Sequence, residues 1–290
     1  MAASGVTDVH VHIQPWEMLR PAVRKSLETS RPDGPLIRRM IEDPAVLLEH
    51  LDREGVARVG LINYVSPEVM GFTSEVNEFV ARYAKAAPDR LIPFGSVHPG
   101  HVRDADAEIR RLLDDLGIRA IKIHPPHQLF FPNDYGPRGL PGLRAIYERC
   151  QERRVPIMFH TGTSIFPGAK NKYGDPIHLD DVAVDFPELP IILAHGGRPL
   201  WSETAFFLLR RFPNVWFDVS GIPPRRLLES FPRLEEIAGK TMFGTDWPSP
   251  GVKSIGENLR QIRELPIPEA AREAILGGTA AKLFGPVAPR

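Results

Sequence analysis

The chain has 290 residues, of which 42% are hydrophobic, so it is long enough to bury a large core. Its 36 basic and 36 acidic residues balance, which excludes the strong field of one sign that favours nucleic acid or a membrane surface. The single cysteine, Cys150, excludes an intrachain disulfide and a cysteine-based zinc site. The sequence shows no signal-peptide pattern and no apolar run of about 18 residues, so we expect a cytoplasmic protein.

The first predicted element is a strand over 6–12 that carries His10 and His12. Polar and apolar residues alternate along it with the period of a strand, and side chains two residues apart project from the same face. The two imidazoles can therefore converge on one cation, although a half-exposed strand with a histidine-bearing polar face has the same pattern. Residues 14–43 follow as a long polar segment, which we interpret as an inserted loop at the mouth of a barrel.

Short apolar runs then alternate with helical patterns along the rest of the chain. Further strands are predicted at 57–63, 91–97, 118–124, 155–161, 190–195, 214–219 and 240–245. Helices are predicted at 44–54, 74–86, 103–116, 139–153, 200–211 and 224–238, with additional C-terminal helices at 254–263, 268–276 and 278–284. Eight strands alternating with helices predict an α/β fold, a closed (β/α)8 TIM barrel that forms a single domain over 1–290. An open doubly wound sheet is the alternative, but no glycine-rich dinucleotide motif follows the first strand.

Polar side chains stand at the predicted carboxyl ends of these strands, where TIM-barrel enzymes carry their catalytic groups. In chain order they are His10, His12, Ser96, His98, Lys122, His124, His160, His195, Asp218, Ser220 and Asp246. If Ile121 and Ile123 pack against the outer helices, Lys122 and His124 face the barrel interior together. Gly244 shares a face with Asp246 and leaves room for a site there.

Five segments carry a resemblance to a known family. They are VTDVHVHI at 6–13, FHTGT at 159–163, LAHGG at 193–197, FGTDWP at 243–248 and ILGGTAAKLFG at 275–285. Together they resemble the amidohydrolase superfamily, and more narrowly the amidohydrolase-related branch that includes aminocarboxymuconate-semialdehyde decarboxylase and several aromatic-acid decarboxylases. His-x-His alone is a weak motif, whereas the ordered set of His-x-His, His, His and Asp across four strands is specific.

The resemblance implies a TIM barrel with one divalent metal ion, usually zinc, bound by His10, His12, His160 and Asp246. It also implies that His195 lies close to a metal-bound water and serves in catalysis. Three imidazoles and a carboxylate suit zinc, and also manganese or iron. Zinc lowers the pKa of bound water to about 7, and His195 and Asp246 are then candidate groups for moving its proton.

Several neighbouring residues have more than one interpretation. We interpret Lys122 as an unmodified amine that binds a substrate carboxylate or pairs with an acid, rather than as the carboxylated lysine of relatives with two metals. His124 is a candidate for lining the substrate site. Arg198 either holds an anionic substrate or forms a structural salt bridge, and Asp218 either supports a neighbouring histidine or acts as an acid. Residues 166–176 are a candidate lid.

These patterns predict a metal-dependent hydrolase in which metal-bound hydroxide attacks a small carbonyl substrate that carries a carboxylate. The alternative on the same scaffold is a non-oxidative decarboxylase of an aromatic or unsaturated acid. A metal-binding barrel without activity is a third option, and the complete ligand set argues against it. We expect a small-molecule substrate and neither a nucleic-acid nor a membrane partner, and a homodimer is one option for assembly.

Overall fold

A computed structural model describes residues 5–287 and shows eight parallel strands paired in sequence order. The strands are β1 Thr7–Val11, β2 Arg58–Ile62, β3 Leu91–Gly95, β4 Ala120–Ile123, β5 Ile157–His160, β6 Ile191–Ala194, β7 Val215–Asp218 and β8 Thr241–Met242. Backbone hydrogen bonds close the sheet, because Val9 N donates to Phe243 O at 3.0 Å and Asp246 N donates to His10 O at 2.9 Å. The predicted TIM barrel is therefore confirmed. The ends of the expected domain, 1–4 and 288–290, lie outside the described residues.

Helices surround this barrel. They are α1 Pro21–Ser30, α2 Gly34–Glu42, α3 Pro44–Glu54, α4 Val76–Ala84, α5 Ala105–Arg110, α6 Pro125–Gln128, α7 Gly142–Glu152, α8 His178–Asp185, α9 Ser202–Arg211, α10 Leu227–Ser230, α11 Leu234–Ile237, α12 Ile255–Arg263, α13 Glu269–Glu273 and α14 Thr279–Phe284. Local chemistry sets their ends: Asp43 caps α3 by accepting from Ala45 N at 2.8 Å, and Gly55 ends it with a φ of 75°. In the described part of the chain, no helix is long and apolar enough to cross a bilayer.

The prediction of a loop over 14–43 is wrong, because most of this segment is helical. A 3-10 turn over Trp16–Met18, α1 and α2 occupy most of this segment. Pro21 and Pro35 misled the interpretation, since a proline in the first turn of a helix starts it without breaking a hydrogen bond. In α2 the buried residues include Ile37, Met40 and Ile41, which is the spacing of an amphipathic helix.

The single helix predicted over 224–238 is also wrong, because the structure divides it into α10 and α11 with 3-10 turns at either end. The break falls at Phe231, whose φ of −133° and ψ of 71° leave the helical region. Pro232 follows directly, and a proline disfavours the helical conformation of the residue before it. The ring of Phe231 is buried against Phe217, with 4.6 Å between their centroids, so packing stabilises the bend.

Candidate metal centre and substrate cavity

One cavity of about 240 Å³ lies at the carboxyl ends of the strands, and we call it the main cavity. All eight predicted site residues line it: His10, His12, Lys122, His124, His160, His195, Arg198 and Asp246. Parallel strands all end at the same edge of the sheet, so residues far apart in the sequence meet there. Loop residues complete the wall, among them Trp16, Tyr64 and Phe166.

Three of the four predicted metal ligands form a compact group. Donor atoms of His10, His12 and Asp246 lie within 4.8 Å of one another. Asp246 Oδ1 is 2.9 Å from His12 Nε2 and 3.4 Å from His10 Nε2. His160 stands outside this group, but it lines the same cavity.

The unpaired nitrogens of these ligands give a test of whether a metal ion fits. Nε2 of His10 and Nε2 of His160 are buried, and neither has a hydrogen-bond partner among residues 5–287. A buried polar atom without a partner costs free energy unless a ligand or water satisfies it. Two free imidazole nitrogens beside a third imidazole and a carboxylate are a donor set that suits a divalent transition metal. The residues therefore fit the implied ion.

Asp218, the last residue of β7, and Ser220, two residues beyond it, hold the ring of His10. His10 Nδ1 lies 2.5 Å from Asp218 Oδ2 and 3.0 Å from Ser220 Oγ. A histidine that gives its other ring nitrogen to a carboxylate is common among metal ligands, since the carboxylate fixes the tautomer. Burial raises the pKa of Asp218 to about 7 and lowers the pKa of His10 well below its usual value. Space is available for this contact because a Cβ at Gly244 would overlap Asp218. The room that we expected beside Asp246 is thus filled by Asp218.

His195 directly follows β6 and lies between two predicted ligands. Its ring centroid is 4.9 Å from that of His10 and 4.6 Å from that of His160. Its Nδ1 is 2.9 Å from the carbonyl oxygen of Ser220, to which only a protonated nitrogen can donate. The neutral ring therefore keeps its lone pair on Nε2. Burial, aided by the charge of Arg198, lowers the pKa of His195 well below its usual value.

Two cations line the main cavity without full partners. Lys122 Nζ is buried and has no hydrogen-bond partner among the described residues. Burial lowers the pKa of Lys122 to about 8, against the attraction of Asp218 and Asp246. Arg198 Nη2 is 3.7 Å from Asp246 Oδ2, while its Nε finds no partner in the described chain. This long contact leaves Arg198 able to bind an anion.

A stack of imidazoles forms one wall of the main cavity. His124 stacks on His160 at 3.9 Å and on His127 at 3.6 Å, with the planes within 15° of parallel. His127 is held by Tyr64 Oη at 3.1 Å from its Nδ1 and by Ser164 Oγ at 2.7 Å from its Nε2. We did not predict His127 as a residue of this wall from the sequence. The signal was present, because two prolines start the short helix α6 and the three-residue spacing puts both histidines on one side of it.

The candidate lid over 166–176 contacts the cavity at its beginning only. Phe166 lines the cavity and meets the ring of His127 edge-on at 5.6 Å. The side chains of Lys170 and Lys172 are exposed to solvent and do not line the cavity. Backbone hydrogen bonds from Lys170 N to Pro126 O at 3.0 Å and from Gly162 N to Gly174 O at 2.7 Å hold the segment against the barrel.

The fold and this cavity together define a TIM-barrel enzyme with a candidate metal centre. The amidohydrolase family model matches residues 7–285, and the chain belongs to that family. A curated relative, 2-amino-3-carboxymuconate-6-semialdehyde decarboxylase of Dictyostelium discoideum, is 23% identical over 287 residues. That alignment covers 84% of this chain and 77% of the relative.

Solved structures of similar proteins share the barrel. An uncharacterised TIM-barrel protein from Bordetella bronchiseptica has a TM-score of 0.74 at 24% identity, covering 96% of this chain and 98% of that one. Dihydroxybenzoic acid decarboxylase from Polaromonas sp. JS666, with bound manganese and 2-nitroresorcinol, has a TM-score of 0.69 at 19% identity, covering 97% of both chains. 4-Oxalomesaconate hydratase from Rhodopseudomonas palustris has a TM-score of 0.61 at 19% identity, covering 96% and 95%. At these identities the likeness shows the fold alone.

Proposed function

We propose that this chain is a divalent-metal-dependent, non-oxidative decarboxylase of a small aromatic or unsaturated carboxylic acid. The observation that carries the proposal is the meeting, in one cavity, of a candidate metal centre with Lys122 and Arg198. Lys122 is buried and Arg198 is half-buried, and cations without full partners in such positions favour an anionic ligand, because its charge offsets the cost of their desolvation. The names of the Dictyostelium and Polaromonas proteins support decarboxylation over the hydrolysis that the sequence first suggested.

The size and walls of the main cavity suit a planar acid. A cavity of about 150 Å³ is enough to hold a benzene ring, so about 240 Å³ accommodates a ring or a short unsaturated chain with polar substituents. His124 lies between His127 and His160 in the stack, so the aromatic surface left for such a group is that of His160 and Tyr64, which both line the cavity.

We assign His10, His12, His160 and Asp246 to hold the metal ion. When bound, a divalent ion supplies a Lewis acid that orients substrate oxygens and stabilises negative charge. Zinc remains our expectation from the donor set, and manganese is supported by its presence in the Polaromonas structure.

The chain's own residues have separate tasks in this proposal. Lys122 and Arg198 bind substrate oxygens and hold the carboxyl group in place. The bond between the carboxyl carbon and the rest of the substrate breaks, CO₂ leaves, and the electron pair stays on the substrate carbon. His195 takes a proton from solvent on Nε2 and delivers it to that carbon, so one proton replaces one CO₂.

A substrate screen with the metal-loaded protein tests this function. Hydroxylated benzoates and unsaturated dicarboxylates are compared with lactones and amides, and both ultraviolet absorbance and released CO₂ are followed. We expect loss of absorbance together with stoichiometric CO₂ for at least one acid. Turnover of lactones or amides without CO₂, or addition of water to an unsaturated acid, would contradict the proposal.

Replacing Lys122 by methionine tests its substrate role. A hydrogen bond to a charged group contributes about 1.5–3 kcal/mol, so we expect KM to rise by about 10- to 100-fold. Lys122→Met should keep its fold and its metal, since methionine has similar length and needs no partner in a buried site. Lys170→Met, at an exposed lysine, is the control and should leave KM unchanged. Equal KM values in the two variants would show that Lys122 does not bind the substrate.

A further inference from the structure

A second group of potential metal ligands lies outside the main cavity. Glu68 Oε1 is 2.7 Å from His101 Nε2, and the rings of His98 and His101 meet edge to face with centroids 4.3 Å apart. Each of the three residues offers one donor atom, and these atoms lie within 4.8 Å of one another. We propose that Glu68, His98 and His101 form a second, weaker site for a divalent transition-metal ion such as Zn²⁺.

The geometry of this trio allows such a site with small side-chain movements. Zinc bonds to nitrogen and oxygen are about 2.0–2.2 Å long, so tetrahedral donors lie about 3.4 Å apart. The side chains of Glu68 and His101 are each 43% exposed, so both can turn toward an ion, whereas His98 is buried and gives a fixed point. Gly100 N donates to His98 Nδ1 over 3.2 Å, which places a lone pair on that nitrogen. A metal ion would replace this long hydrogen bond.

An adjoining cavity gives an independent sign that a ligand belongs here. It has a volume of about 240 Å³, and its lining includes His98, His101, Thr73 and Ser96. Ser96 is fully buried, and its Oγ has no hydrogen-bond partner in the part of the chain that the structure describes. Such a hydroxyl requires a polar occupant. An ion held by three protein donors keeps a coordination position for water, and a water in this cavity is a suitable partner for Ser96.

The second site is separate from the main cavity. Tyr64 lines the main cavity, while the next residue, Val65, lines the adjoining one. Glu68 follows β2, and His98 and His101 follow β3, so an ion at this place would join two neighbouring loops. The proposal does not depend on the reaction at the main cavity. Neither Glu68 nor His101 lines that cavity, so substitution of either residue keeps all of its lining residues.

Calorimetric titration of the zinc-loaded protein with further Zn²⁺ tests the second site. We expect one additional binding event in the unmodified chain, with an affinity at least 30-fold lower in Glu68→Gln and in His101→Ala. His178→Ala, at a histidine outside the trio, is the matched control and should retain the event. When the zinc-loaded protein is titrated with Co²⁺, we expect a visible absorption band from Co²⁺ at the second site. Both trio variants should lose this band.

Measurements of folding and of turnover separate loss of the second site from general damage to the protein. Both trio variants replace exposed side chains, so circular dichroism should show a native fold, and turnover at the main cavity should stay unchanged. Absence of an additional event, or an equally strong event in both variants, would overturn the proposal. Failure of the decarboxylase proposal would appear in the substrate screen and would leave this binding event as it is.

Discussion

At the scale of single residues, the candidate centre depends on partners that fix two histidine rings. Asp218 holds Nδ1 of His10, and the carbonyl of Ser220 accepts from Nδ1 of His195. The strand-end positions of both histidines could be predicted, because parallel strands end at one edge of the sheet. Their tautomers could not, since these depend on contacts between strands that no local pattern shows.

Asp218→Asn should weaken metal binding. Asparagine keeps the shape of the side chain but removes the carboxylate that orients His10, and changes to such partners typically cost about 10- to 100-fold in metal affinity. Competition with a chelator measures this affinity. Asp185→Asn is the control, because Asp185 is an exposed aspartate that accepts from Tyr135 Oη at 2.8 Å. Equal metal affinity in the two variants would show that Asp218 does not support the centre.

His195→Gln should separate catalysis from metal binding. An acid–base group contributes about 10²- to 10⁴-fold to a rate, so we expect turnover to fall by that factor while the metal stays bound. Turnover and metal content are measured on the same preparation. Loss of the metal would make His195 a ligand, and turnover equal to that of the unmodified chain would contradict its assignment as the proton donor.

The backbone at two predicted site residues is in an uncommon conformation. His195 and Asp246 both have a φ of 68°, in the left-handed region that non-glycine residues rarely adopt. Neighbouring turns hold them there, with Arg198 N donating to His195 O at 3.1 Å and Ser249 N to Asp246 O at 2.7 Å. Such strain is concentrated at functional sites, which supports both assignments. A sequence pattern leads one to expect glycine at a positive φ, so this feature was not predictable.

At the scale of elements, Asp8 joins the first strand of the barrel to the segment that follows the last strand. Its Oδ1 accepts from Thr245 N at 3.1 Å and from His10 N at 3.0 Å, and its Oδ2 accepts from Thr245 Oγ1 at 2.7 Å. The strand that carries His10 and His12 is thereby fastened to the segment that carries Asp246. We infer that this contact sets the spacing of the three compact ligands.

Thr245→Val should weaken this junction. Valine keeps the branched shape but lacks the hydroxyl that donates to Asp8 and accepts from Trp247 N at 3.1 Å. Since buried partners are then left unsatisfied, we expect the free energy of unfolding to fall by about 1–3 kcal/mol. Denaturant titration measures the change. Thr29→Val, at an exposed threonine of α1, should shift it by less than about 0.5 kcal/mol. A similar loss in both variants would contradict the role of Thr245.

Elements with a clear hydrophobic period were predictable, whereas proline made three helical segments hard to predict. All eight strands lie within the ranges expected from their apolar runs, and α3 begins and ends at the predicted Pro44 and Gly55. A proline either starts a helix or ends one, and the number of prolines in a segment does not show which. In α1 and α2 it starts a helix, and at Phe231–Pro232 it ends one.

At the scale of the whole molecule, the balanced formal charge of the chain contrasts with a local excess of cations in the main cavity. The chain as a whole carries no net formal charge, yet Lys122 and Arg198 both line this one cavity. The position of the candidate centre follows from the order of strands in a TIM barrel. The substrate wall was predictable only in part. Trp16 and Phe166 come from segments that we expected at the barrel mouth, whereas Leu27 comes from α1, a helix that the sequence did not predict.

The most direct test of this account is an anomalous-scattering crystal structure of the chain loaded with manganese. We predict a single manganese peak in the main cavity, bonded to His10, His12, His160 and Asp246, with an unmodified Lys122 close by. Two manganese peaks in that cavity bridged by a carboxylated Lys122, or one manganese held by other residues, would contradict the mononuclear centre on which the proposed decarboxylation depends.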